Sequence, residues 1–278
     1  MACGKPHREL THTELLQRYP GMRLTKDFRV LLDESAGTLR ADKALKGFQD
    51  EFKKRGGVIH DEEKVLSIIP GKIVTVCTNK NKYTTKSVIL TAGPWSSKLL
   101  QPLGLNLPLE TWRINVCYWR KKFGDFENFP CIIDDSTGEK HVYVLPVHEY
   151  PGLVKAIFHN GLKCDPDCRD DVFAEDSEDV KNVKKFISDY LPGLDGSKPA
   201  VLESCMYTVT PDWELVLDKH PSHSNIVIGC GFSGHGFKLA PVVGKILSEL
   251  ATGQRCSYDI SPLSISRFGK EVHRKANL

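Results

Sequence analysis

The residues with the most distinctive chemistry lie in a glycine-rich turn, Gly229-Cys230-Gly231-Phe232-Ser233-Gly234. The turn fits Gly-x-Gly-x-x-Gly, follows an apolar run and opens a helical pattern, as a dinucleotide-binding turn does. A complete dinucleotide unit also needs a second parallel strand with an acid about 20 residues further on, whereas here the helical pattern runs into Gly253-Gln254-Arg255. We therefore favour a turn whose backbone approaches a ligand over a complete ADP-binding unit.

Two side chains at the start of the following helix could attract an anion. Lys238 would lie near the positive end of the helix dipole, close in sequence to His235. Either residue alone is more often structural, His235 as a half-buried histidine and Lys238 as a solvated lysine. Together with the glycine turn, they favour a ligand site.

The nine cysteines show no disulfide framework and indicate a reducing compartment. Cys164 and Cys168, in Cys-Asp-Pro-Asp-Cys, have no second cysteine or histidine pair nearby, so an exposed acidic turn is favoured over zinc. Cys205 taken alone would be a small buried apolar residue. We therefore predict no metal.

The composition is that of an ordinary globular protein, with 40% hydrophobic and 26% charged residues among 278. This length favours two domains. The net charge of +3 is small and the basic residues are interspersed with acids, which argues against nucleic acid as a partner. No window approaches the roughly 18 consecutive apolar residues of a membrane-spanning helix.

Periodicity predicts a change of architecture along the chain. Residues 1–103 alternate helices, at 13–19 and on Ala41, Ala44, Leu45, Phe48 and Phe52, with short strands at 28–32, 58–59, 64–69, 73–77 and 87–91. The middle shows strands at 113–119, 141–147 and 153–158 and an amphipathic helix around 180–190. The last part returns to a strand at 225–228 and a helix over 239–250. A mostly antiparallel domain is therefore predicted between two α/β parts.

Several spaced motifs resemble one family. Gly231-Phe232-Ser233-Gly234-His235-Gly236-Phe237-Lys238 resembles the C-terminal flavin-contacting loop of the monomeric sarcosine oxidase family, which includes peroxisomal sarcosine and pipecolate oxidases. Upstream, Cys205-Met206-Tyr207-Thr208 resembles the segment that carries the flavin covalently. Further matches, in order, are Ser35 to Leu39, Ala92 to Leu100, Tyr143 to Pro146 and Gly152 to His159.

The resemblance implies an α/β fold plus antiparallel β structure. Residues 35–103 and 207–278 would form a partial FAD-binding, Rossmann-like domain, and residues 1–34 and 104–206 the substrate domain. The family's ADP-binding βαβ unit and its N-terminal active-site arginines have no counterpart, because Met1-Ala2-Cys3-Gly4 resembles a point well inside a full-length member. The chain is therefore expected to be a fragment, isoform or alternative-start product, inactive by itself.

The resemblance also assigns roles to residues. FAD would be held as an S-8α-cysteinyl thioether on Cys205 and contacted by Gly231, Phe232, Ser233, Gly234 and His235. Lys155 resembles the lysine held over the flavin through water, where a cation stabilises reduced oxygen; the alternative is a solvated lysine on an edge strand. Lys238 would bind the substrate carboxylate. Tyr143, Tyr207 and His159 would line the pocket, the histidine sharing a strand face with Lys155.

The implied reaction is FAD-dependent oxidation of a small secondary amino acid by oxygen, giving an imine and hydrogen peroxide. Sarcosine, L-pipecolate and proline are candidate substrates that the sequence does not separate. Two alternatives stay open, a non-enzymatic remnant and a dehydrogenase resembling those for dimethylglycine. The tail, Ala276-Asn277-Leu278 after Lys275, keeps the pattern of a peroxisomal import signal read by a receptor. A monomeric peroxisomal protein is expected.

Overall fold

The computed structural model describes residues 7–124, 129–136, 141–146, 149–171 and 177–269. The strands in these ranges are β1 (His7–Leu10), β2 (Val30–Asp33), β3 (Val65–Ile69), β4 (Val74–Thr78), β5 (Lys82–Thr85), β6 (Val88–Leu90), β7 (Glu110–Arg120), β8 (Ile132–Asp134), β9 (Val142–Pro146), β10 (Leu153–Phe158), β11 (Leu162–Lys163), β12 (Val201–Val209), β13 (Val216–His220) and β14 (His223–Cys230). The α-helices are α1 (His12–Arg18), α2 (Ala41–Lys54), α3 (Ser96–Leu100), α4 (Glu178–Tyr190) and α5 (Gly236–Ala251). No helix in this part of the chain is long and apolar enough to span a membrane.

The chain divides into two compact units. The first comprises residues 1–39 and 113–205, and the second residues 40–112 and 206–278. The domain boundaries expected from the sequence stay a prediction. The assignment of the first unit to substrate and the second to cofactor stays a prediction.

The first unit contains a six-stranded sheet. Its order is β11-β7-β10-β9-β8, with β12 also paired to β7. The pairs β7–β10, β10–β9 and β9–β8 are all antiparallel. Strand β7 is buried continuously from Arg113 to Trp119. Residues on both of its faces are therefore buried, as in a sheet that is covered on both sides. Trp119 is fully buried and its indole N–H donates to the carbonyl of Ala156.

Two helices cover apolar parts of this unit. Helix α4 buries Val180, Val183, Phe186 and Ile187, the face that its spacing predicts. Helix α1 begins at a capping box, in which Thr11 and Glu14 exchange hydrogen bonds, and it buries Leu15.

The second unit carries two three-stranded sheets. One has the order β13-β14-β6, in which β14 and β6 are parallel and β13 and β14 antiparallel. The other is the antiparallel meander β3-β4-β5. Helix α5 follows β14 and buries Val243, Ile246 and Leu247. This strand–turn–helix segment positions the glycine-rich turn.

Helix α2 forms where its periodicity predicts, but none of its residues is buried. Its apolar residues Leu45, Phe48 and Phe52 are each more than half exposed. Strand β6 lies at the edge of its sheet in the described part of the chain, and Ile89 on it is 42% exposed. The second unit therefore presents an apolar helix face and an open parallel edge.

Some predicted elements differ from the structure. Residues 58–59 form no strand, because the α2 terminus continues through a hydrogen bond from Gly57 N–H to the Phe52 carbonyl and leaves too short an apolar run. Strands β1, β5, β8, β11, β12 and β13 were missed. Most are short, Lys82–Thr85 is polar, and β12 mixes charged and apolar residues without clear alternation. Residue 147, at the end of one predicted strand, lies outside the described ranges.

Candidate active site

Cys205 lies on β12 and is half-buried. Burial raises the pKa of its thiol, whereas the cations of Lys155 and Arg169 act to lower that pKa and Glu203 acts to raise it. Charges change the pKa of a thiol only when they lie near it, so the first unit brings Cys205, Lys155 and Arg169 close together. The effects that raise the pKa outweigh those that lower it, so the thiol stays protonated although two cations lie close by.

Lys155 lies on β10 inside the sheet rather than at its edge. It is paired with Tyr118 on β7 and with Leu145 on β9. Its ammonium is 5.9 Å from the centre of the Tyr118 ring, a cation–π distance. An edge strand would leave such a lysine solvated, so the edge-lysine alternative does not apply here.

Tyr118, the aromatic neighbour of Lys155, belongs to a hydrogen-bonded network with a second phenol and a carboxylate. Tyr118 and Tyr150 both donate to Glu203, the first over 3.1 Å. Their rings meet edge to face, with centres 4.7 Å apart and planes at 69°. Burial and the Glu203 carboxylate raise the pKa of Tyr118, so the phenol stays neutral. This network fixes the aromatic surface against which Lys155 lies.

His159 and Tyr143 also lie together in the first unit. His159 is buried and directly follows Phe158, the last residue of β10. Its place on the same strand face as Lys155 stays a prediction. Its ring stacks on His141 with centres 4.4 Å apart, and the Tyr143 ring meets it edge-on at 6.2 Å. The backbone N–H of His159 donates to the carbonyl of His141.

The glycine-rich turn lies in the second unit, between β14 and α5. Gly231, Ser233 and Gly234 all have left-handed backbone, with φ of 67°, 49° and 86°. A Cβ at position 231 would lie 2.5 Å from the Thr210 side chain, so glycine is required there. Ser233 is fully buried, and its N–H and hydroxyl donate to the carbonyls of Thr208 and Gly231. The serine thereby holds the turn in shape.

Helix α5 begins at Gly236 without a side-chain cap hydrogen bond. His235 precedes it, with its Nδ1 3.3 Å from the Phe232 carbonyl oxygen. Lys238 is exposed in the first turn, and Tyr207 on β12 is half-buried. Uncapped N–H groups, the helix dipole and a lysine form a suitable place for a carboxylate or another anion.

Two arginines of the first unit were missed from the sequence. Arg113 is buried, donates to Ser204 next to Cys205 over 2.6 Å, and also donates to Asn115, while its Nε has no hydrogen-bond partner. Arg169 pairs with Asp170 and acts on Cys205. A charge within the apolar run of β7 was the available signal for Arg113. Arg169 gave none, because Cys205, the thiol whose pKa it acts to lower, is distant in sequence.

Among the described residues, no group of His, Cys, Asp and Glu side chains could hold a metal ion. Cys164 is partly exposed and Cys168 is exposed. The tail with Ala276, Asn277 and Leu278 lies outside the described residues.

Comparison with known proteins defines the class. The family model described as FAD dependent oxidoreductase matches residues 2–250. The chain is 50% identical to peroxisomal sarcosine oxidase of Homo sapiens over 94% of its length, covering 68% of that protein. It therefore belongs to the FAD dependent oxidoreductase family, on the branch of the sarcosine oxidases.

More distant relatives are consistent with this family assignment. A putative sarcosine oxidase of Caenorhabditis elegans is 37% identical over 95% of the chain and 71% of that protein. The structure of L-proline dehydrogenase from P. horikoshii is similar with a TM-score of 0.81 at 19% identity, over 98% of this chain and 71% of that one. NikD, an amino acid oxidase of nikkomycin biosynthesis in its open form, gives a TM-score of 0.76 at 21% identity, over 98% and 70%. At such identities the structures show the fold alone, a mixed α/β fold with antiparallel sheets.

Proposed function

We propose that this chain supplies the flavin-attachment and substrate residues of an FAD-dependent oxidase of small secondary amino acids. The observation that carries the proposal is the half-buried Cys205 beside two cations, one of them Lys155 on a central strand. Cys205 would hold FAD through a thioether to its 8α carbon. The cations of Lys155 and Arg169 act against burial to lower the pKa of this thiol, and so favour the thiolate that forms such a bond.

Bound FAD would accept a hydride from the carbon next to the amine nitrogen and pass its electrons to oxygen, giving hydrogen peroxide. Lys155 would place a fixed cation where negative charge develops as oxygen is reduced. Its position inside the sheet, against Tyr118, preorganises that charge. This favours an oxidase over the dehydrogenase alternative, which would pass electrons to another acceptor.

The remaining residues would bind and orient the substrate. Lys238 and the uncapped start of α5 would bind its carboxylate. His159, Tyr143 and Tyr207 would position the amine and exclude water, and His235 with Gly231 to Gly234 would contact the flavin. The relatives' names make sarcosine the first substrate to test; L-pipecolate and proline share the secondary amine and the carboxylate.

We also propose that the FAD-binding domain is partial. The β14 strand, the glycine turn and α5 are followed, up to residue 269, by short helical turns rather than by a second parallel strand. A pyrophosphate needs such a unit, with its glycine turn at a helix N-terminus. The exposed face of α2 and the open edge of β6 are surfaces that further polypeptide would cover. By itself, the chain would then bind FAD weakly and be inactive, which also sustains the alternative of a non-enzymatic remnant.

For location, we propose that the completed form, in which the face of α2 is covered, is a monomeric peroxisomal protein imported through Ala276-Asn277-Leu278. The support is the name of the human relative and the tripeptide's small-polar-Leu pattern.

The test uses a flavin-loaded form, completed with the sequence that the human relative has beyond the aligned part. Lys155→Met should slow reoxidation by oxygen on the order of a hundredfold and leave anaerobic reduction by sarcosine within a few fold. Rapid-mixing absorbance measures the two half-reactions separately. Lys163→Met, an exposed lysine on β11, is the control and should change neither. Equal losses in both half-reactions for Lys155→Met would contradict the assigned role.

A further inference from the structure

A cavity lies in the second unit, formed by the start of β7, the end of β12 and the turn that follows. Its volume is about 390 Å³, within the range of about 300–1,000 Å³ typical of small-molecule sites. Its lining consists of Pro108, Leu109, Glu110, Trp112, Val209, Thr210, Pro211 and Trp213. None of the residues assigned above to flavin or substrate lines it.

Two indoles form adjoining walls of this cavity. The rings of Trp112 and Trp213 have centres 5.4 Å apart and planes at 84° to one another. Trp112 is partly exposed and Trp213 is 36% exposed, so both rings are accessible. A corner of two indoles presents electron-rich π surface from two directions, which suits a compact cation.

A carboxylate is fixed at the same corner. The Trp112 indole N–H donates to Glu110 Oε2 over 3.0 Å, which ties the acid to the aromatic wall. The corner thus combines aromatic faces with negative charge.

The backbone holds Trp213 in a costly conformation. Its φ is 62°, in the left-handed region that bulky residues rarely adopt. The turn is closed by a hydrogen bond from Trp213 N–H to the Thr210 carbonyl. Strain of this kind, maintained at the mouth of a cavity, occurs most often at ligand-binding positions.

We propose that this corner binds an organic ammonium ion carrying N-methyl groups, as a site separate from the one proposed for oxidation. A cation of this class would place its methyl groups against Trp112 and Trp213 and its charge beside Glu110. A sugar would instead need a flat stacking surface and several hydrogen-bonding groups. Here the rings are perpendicular, and the Thr210 hydroxyl already donates to the Glu214 carbonyl.

The test is to titrate the full chain with choline and, separately, with dimethylbutanol, the uncharged carbon isostere of choline. Ligand-observed NMR measures the binding of each. Choline should bind saturably and at least about fivefold more tightly than the isostere. Trp213→Asn should weaken choline binding by at least that factor without loss of thermal stability, because asparagine tolerates left-handed backbone. Glu110→Gln, which can keep the bond from Trp112, should also weaken it.

Glu214→Gln provides the matched control, an exposed acid outside the cavity lining, and should leave the affinity unchanged. Equal binding of choline and its isostere, or undiminished choline binding by both Trp213→Asn and Glu110→Gln, would overturn the proposal. Preference for a neutral sugar such as glucose over choline would also overturn it.

Discussion

Cys205 and Lys155 are coupled electrostatically within one unit, which gives the first prediction at the scale of single residues. Because the Lys155 cation acts to lower the pKa of the Cys205 thiol, Lys155→Met should raise that pKa further. Alkylation of Cys205 by iodoacetamide at about pH 8 should then slow, since the thiolate is the reacting form. Peptide mass spectrometry of the flavin-free chain measures the rate.

Cys164 gives an internal control. Burial also raises its pKa, but its charged neighbours are Arg113, Asp165 and Arg169 rather than Lys155. Its alkylation rate should not change. An unchanged rate at Cys205, or equal slowing at both cysteines, would show that Lys155 does not act on Cys205.

The site was only partly predictable at this scale. Family motifs indicated Cys205, Lys155 and the glycine turn, while the Tyr118–Glu203–Tyr150 network depends on strand pairing between residues distant in sequence. The same limit hid Arg113 and its bond to Ser204. That His159 shares a strand face with Lys155 stays a prediction, because β10 ends at Phe158.

At the scale of elements, two glycines should respond oppositely to alanine. Gly47 lies inside α2 with no atom within 4 Å of an added Cβ, so Gly47→Ala should stabilise the chain by about 0.5–1 kcal/mol. Gly231→Ala should destabilise it by more than about 1 kcal/mol, because φ is +67° and Thr210 is in the way. Denaturant unfolding measures both. A stable Gly231→Ala protein would mean that the turn is not held in this conformation.

Helix α5 gives a prediction for acid conditions. The hydrogen bond from Lys245 and those from Ser257 lower the pKa of Glu249 to about 2 from its usual 4.5. A depressed pKa stabilises the folded state fully above about pH 4.5, and this contribution is lost as pH falls towards 2. Glu249→Gln should therefore flatten the fall in stability over that range, as followed by circular dichroism.

Elements with strong periodicity were predictable, and polar or mixed ones were not. Helices α2, α4 and α5 follow from apolar spacing, and β10 was predicted to its last residue. The periodicity of α2, however, did not reveal whether anything covers its apolar face. Burial depends on what packs against a helix, which its own sequence does not contain.

At the scale of the whole molecule, the exposed face of α2 should promote self-association. Leu45, Phe48 and Phe52 lie at helical spacing and are each more than half exposed. Leu45→Glu with Phe48→Glu should reduce light scattering of the chain at a given concentration and change its thermal stability little, since neither side chain is buried. Lys43→Gln with Lys53→Gln, at two exposed positions on the same helix, lowers the net charge by the same amount and is the control. Undiminished self-association of the Leu45→Glu, Phe48→Glu variant would show that another surface mediates it.

Covalent attachment of FAD to Cys205 is the central claim, and acid precipitation of the completed, flavin-loaded form tests it most directly. We predict that the precipitated protein keeps its yellow flavin and that the Cys205→Ala variant releases it into the supernatant. Cys164→Ala, which removes another partly exposed thiol of the same unit, should retain the flavin. Flavin that stays with the Cys205→Ala protein, or flavin released from the unsubstituted protein, would contradict the assignment.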